Sequence, residues 1–69
     1  MIMYIHAEFP AGIDSRELYE MVKRYDLDFT DIITKVYLYG EVPSRYMAQV
    51  VDICAKFGYK SITIKNPTS

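Results

Sequence analysis

The chain predicts an α/β fold. We expect a small two-layer β-α-β-α-β domain whose three-stranded parallel sheet, in spatial order 1-2-3, carries two helices on one face. The other face is expected to stay open and rich in tyrosine. Two periodicities lead there. Three short runs alternate apolar with hydrogen-bonding residues, which marks strands with one dry face. Between them lie two stretches whose apolar residues recur every three or four positions, which marks amphipathic helices.

In the first run Met3, Ile5, Ala7 and Phe9 form the dry face, and Tyr4, His6 and Glu8 form the other. Pro10-Ala11-Gly12 ends the run. Asp14 then opens a helix, with Glu17 three residues on in the spacing of a capping box. Leu18, Met21, Val22 and Tyr25 share one side of that helix, and Glu20 precedes Arg24 by the four residues that favour an exposed ion pair.

Residues 26–34 mix Leu27, Phe29, Ile32 and Ile33 with Asp26, Asp28 and Asp31. A helical extension, a folded-back loop and an irregular strand all fit that mixture. In the second strand Val36 and Leu38 oppose Tyr37, Tyr39 and Glu41. Pro43 ends it, and Ser44 is expected to cap a second helix whose stripe is Met47, Val50, Val51, Cys54 and Phe57. Gly58 stops that helix. The third strand runs from about 59 to 65, with Ile62 and Ile64 opposing Ser61, Thr63 and Lys65, and residues 66–69 form a frayed tail.

Strands joined by helices run parallel with right-handed crossovers. An order of 2-1-3 would bury both faces and require continuous apolar strands. These strands alternate, so order 1-2-3 is preferred. The expected core is Ile5, Ala7, Phe9, Leu18, Met21, Val22, Val36, Leu38, Val50, Val51, Cys54, Phe57, Ile62 and Ile64.

Sixty-nine residues allow a single domain, 1–69. A chain of about that length buries only about 60% of its unfolded surface, so outside support is expected. A lone cysteine, Cys54, excludes an internal disulfide, and a lone histidine, His6, excludes the common Cys/His metal sites within one chain. Association with another chain is the remaining support. A hydrophobic content of 51% with 25% charged residues fits a folded domain. The net charge of −1 gives no footprint for duplex nucleic acid. No apolar run approaches the ~20 residues of a membrane span, and no leader-like segment opens the sequence, so a cytoplasmic protein without membrane contact is expected.

His6 is the first candidate for proton transfer, with Glu8 and Tyr39 as neighbours on one face. It lacks a companion nucleophile, anion loop or metal motif and reads as a solvated sheet histidine. Cys54 lies on an apolar stripe near a helix C-terminus, which disfavours the thiolate, and reads as core. Asp26, Asp28 and Asp31 fail as an EF-hand loop, because Asp31 stands where glycine is needed and Tyr37 where glutamate is needed. We therefore expect no catalytic residues, no metal and no cofactor.

The tyrosines remain. Sequence alone does not name a function; it favours a small non-catalytic protein-interaction or self-associating module, most simply a homodimer. Its contact surface would be the open face, Tyr4, His6, Tyr37, Tyr39 and Thr63, or a sheet edge. The alternative is single-stranded nucleic-acid binding by stacking bases on Tyr4, Tyr37 and Tyr39. Only Lys35 and Lys65 join that face as cations, against Glu8 and Glu41, so nucleic acid is the weaker reading.

Overall fold

A computed structural model of the protein describes residues 1–32 and 35–66. Ile33, Thr34 and residues 67–69 of the tail expected at 66–69 lie outside the described residues. The elements follow as β1 (Ile2–Pro10), α1 (Ser15–Val22), a 3₁₀ turn (Lys23–Tyr25), β2 (Asp28–Ile32), β3 (Lys35–Pro43), α2 (Ser44–Lys56) and β4 (Ser61–Lys65).

The expected three-stranded parallel sheet is corrected by this structure. The sheet has four strands in the order β2-β3-β1-β4, and every neighbouring pair is antiparallel. The fold class is α+β. The added strand is β2, which comes from the ambiguous segment at 26–34 and pairs with β3 from Asp28↔Tyr39 to Ile32↔Lys35. The difference is one of adjacency. Strands joined by each helix do run in the same direction, but each such pair has another strand between its members: β3 separates β1 from β2, and β1 separates β3 from β4. This is the split β-α-β, or ferredoxin-like, topology, which hosts many unrelated functions. Clean alternation was itself the antiparallel signal, since such sheets readily keep one face wet.

Local chemistry explains where the helices begin and end. The Asp14 side chain accepts a hydrogen bond from the Glu17 amide at 3.1 Å, satisfying one of the free donors of the first turn of α1. The chain leaves the 3₁₀ turn through Asp26, whose φ of +59° is left-handed, and this reversal turns 26–32 back towards the sheet instead of prolonging the helix. The expected Glu20–Arg24 pair is replaced by Glu20–Lys23 at 2.6 Å. Ser44 is not a cap: Pro43 holds the cap position, and the Ser44 amide donates to the Met1 carbonyl at 2.8 Å. Gly58, with φ +73°, follows the end of α2.

One core joins both helices to one side of the sheet. Ile5, Ala7, Phe9, Val36, Leu38 and Val42 from the strands meet Leu18 and Val22 of α1 and Met47, Val50 and Cys54 of α2, with Leu27 added from the link into β2. Leu27, Val42 and Met47 were not in the expected core. Met21, Val51, Phe57 and Ile62 are only half-buried, and Ile64 is 40% exposed. The last two fall short because β4 is an outer strand rather than the third member of a sheet fully covered by helices.

Candidate functional site: the open sheet face

Period-2 alternation sends one set of side chains from each strand away from the helices, and the register fixes their neighbours. One row across the sheet reads Thr63, His6, Tyr39, Asp28; the next reads Ser61, Glu8, Tyr37, Thr30; a third reads Lys65, Tyr4, Glu41. No described element covers this face. Tyr4, His6, Tyr37 and Tyr39 are half-buried by their neighbours alone, and Thr63 is exposed on the outer strand β4.

At the centre of the face, the His6 ring lies 5.6 Å from Tyr37 and 6.1 Å from Tyr39, centroid to centroid, with tilts of 43° and 31°. Such separations are those of interacting aromatic pairs. A long contact of 3.5 Å links the Tyr39 hydroxyl to Thr30 Oγ1. The Glu8 carboxylate lies 3.9 Å from the Lys35 ammonium and 4.0 Å from that of Lys60, while the Lys60 amide donates to the Glu8 carbonyl at 2.7 Å. The structure thus brings His6, Tyr37 and Tyr39 into one cluster, with Tyr4 and Thr63 beside it in the adjoining register positions.

Sequence reasoning missed Asp28, Thr30 and Lys60 as members or neighbours of this surface. The signal for β2 was present, since Phe29 is aromatic and Thr30 and Ile32 are β-branched, residue types that favour strands. Three interspersed aspartates masked it. The proton-transfer group considered above, His6 with Glu8 and Tyr39, has no hydrogen bond joining its members; Glu8 faces two lysines instead. Among the described residues no cluster of three or more His, Cys, Asp or Glu side chains is placed to hold a metal ion. Burial pushes the Cys54 thiol up to about 11, so at neutral pH it is a protonated core side chain.

A cleft lies on the helical side. Arg24 and Tyr25, from the 3₁₀ turn, and Tyr46 and Gln49, from α2, line an open cleft of about 480 Å³. The Tyr25 and Tyr46 rings are 5.9 Å apart, the Arg24 guanidinium is 5.7 Å from the Tyr25 ring, and that of Arg45 is 4.9 Å from the Tyr46 ring. These contacts account for the arginines as partners of the half-buried Tyr25 ring and the exposed Tyr46 ring.

No helix among the described residues is long and apolar enough to cross a membrane. No known protein family, curated protein or solved structure matches the chain.

Proposed function

We propose that this protein acts by contact with protein, as a small non-catalytic module that self-associates, most simply into a homodimer. The observation that carries the reading is the uncovered sheet. One face of all four strands presents a half-buried cluster of His6, Tyr37 and Tyr39, extended by Tyr4 and Thr63, and the sheet ends in two outer strands. Tyrosine suits such a role because it adds contact area at low entropic cost and keeps its hydroxyl available to water or a partner. The size of the domain adds a motive: twelve hydrophobic residues are buried among the described residues, a thin core for a domain without a disulfide.

Molar mass by light-scattering chromatography, over a hundredfold concentration range, tests the reading. The expected result is a shift from monomer towards twice the chain mass of 8.1 kDa as concentration rises. A monomer at every concentration, with Tyr37→Ser/Tyr39→Ser leaving thermal stability unchanged, would remove self-association.

A further inference from the structure

Resting on that reading, we infer that β4 is where two copies join, by antiparallel pairing centred on Thr63 that fuses two four-stranded sheets into one of eight strands. β4 uses one side to pair with β1, and no strand among the described residues pairs with its other side. Such an edge invites another strand unless it is guarded by charge, proline or a bulge.

The two outer strands differ in this respect. β2 has two aspartates, Asp28 and Asp31, in its five-residue sequence, the kind of charge that guards a sheet edge. β4 reads Ser-Ile-Thr-Ile-Lys, with no proline and no charge before its last residue.

The register follows from symmetry. A two-fold axis perpendicular to the sheet keeps helices of both copies on one side, so a residue must face one of the same pleat direction. Centring on Thr63 pairs all five residues of β4. Thr63 then faces Thr63 of the second copy, Ile62 faces Ile64, and Ser61 faces Lys65. No lysine opposes a lysine. A centre at Ile62 or Ile64 shortens the overlap.

This register also accounts for Ile64. It points to the helix side yet is 40% exposed, because the sheet ends beside it. Across the junction it meets Ile62 of the second copy, which is half-buried in its own core. The junction therefore closes a row of apolar side chains over two cores. On the opposite side it makes the Tyr-rich faces continuous, with Thr63 at their seam, and leaves them free for a further partner.

Three variants test the inference, each on the full chain. Thr63→Cys should cross-link to a covalent dimer under mild oxidation by oxidised glutathione, because directly opposed residues of an antiparallel pair have Cα atoms ~4.5–5.5 Å apart, within disulfide range. Cys54 can stay, since it is buried. Ile64→Lys should raise the dimer dissociation constant by at least about tenfold, by setting a charge against Ile62 of the second copy. Its circular dichroism should match the parent, as the side chain is already part-exposed. Tyr37→Ser/Tyr39→Ser should remain dimeric.

A parent chain that is monomeric throughout would overturn both this inference and the reading beneath it. A parent dimer that survives Ile64→Lys, leaves Thr63→Cys uncross-linked and falls apart in Tyr37→Ser/Tyr39→Ser would overturn the β4 junction alone, and leave self-association through the open face standing.

Discussion

At the scale of single residues, Asp14 and Cys54 show how far one side chain reaches. The bond from the Glu17 amide to Asp14 is the cap of α1, and α1 supplies Leu18 and Val22 to the core. Asp14→Ala should cost about 1 kcal/mol, a typical loss for a capping side chain, read as a fall in the urea midpoint with an unchanged slope. Cys54 acts through its proton. Its thiol is held up at about 11 by burial, whereas in an unfolded chain it ionises near the ordinary value of about 8.5–9. Between those pH values the unfolded chain has released a proton that the folded chain retains. Stability is therefore full below about pH 8.5 and falls as pH rises towards 11, by on the order of 2–3 kcal/mol across the window. The difference from Cys54→Ala isolates the thiol from every other effect of pH. The parent should lose stability relative to Cys54→Ala from about pH 8.5 upward; parallel pH curves would show that the thiol titrates alike in both states.

At the scale of elements, the β2–β3 pair depends on a glycine. Gly40 lies opposite Ile5 in the sheet and adopts φ +147°, a conformation that side chains rarely tolerate. A Cβ there would sit 3.0 Å from Leu27 Cδ2 and 3.5 Å from Leu27 Cα, so the glycine makes room for the residue that leads into β2. Gly40→Ala combines backbone strain with overpacking, each on the order of 1–3 kcal/mol, and should lower the melting temperature by on the order of 10 °C or more. Gly12→Ala, also at positive φ but with nothing within 4 Å, should cost less; the opposite ranking would show that the Leu27 contact is not what matters. Elements were legible in the sequence wherever one period ran undisturbed. Tyr37 and Tyr39 alternate with Val36 and Leu38, and the stripe through Met47, Val50 and Cys54 marks α2. Where two signals competed, as at 26–34, composition could not arbitrate. The left-handed Asp26 and the space above Gly40 decided the outcome, and both are properties of the folded backbone. Strand order was hidden for a related reason: alternation reports which face is dry, not which strand lies beside which.

At the scale of the whole molecule, protein and single-stranded nucleic acid are the two partners proposed for the open face, and the charge distribution argues for protein. The aromatic cluster of His6, Tyr37 and Tyr39 could stack bases, and each such ring is worth about 1–3 kcal/mol in proteins that do so. Stacking platforms also need cations to hold the phosphates. Here Lys35 and Lys60 both approach Glu8, Lys65 shares its row with Glu41, and Asp28 lies opposite Tyr39. The net charge of −1 supplies no longer-range attraction, and pairing two chains would double the carboxylates together with the rings. A fluorescein-labelled single-stranded RNA of mixed sequence should therefore show no anisotropy change at micromolar protein in physiological salt. A saturating change under those conditions, weakened by Tyr37→Ala and by Tyr39→Ala and falling steeply with added salt, would place nucleic acid ahead of protein as the partner of this face. Binding that appears only in low salt and is untouched by both substitutions would be ordinary attraction to surface lysines, and would leave the protein-contact reading in place.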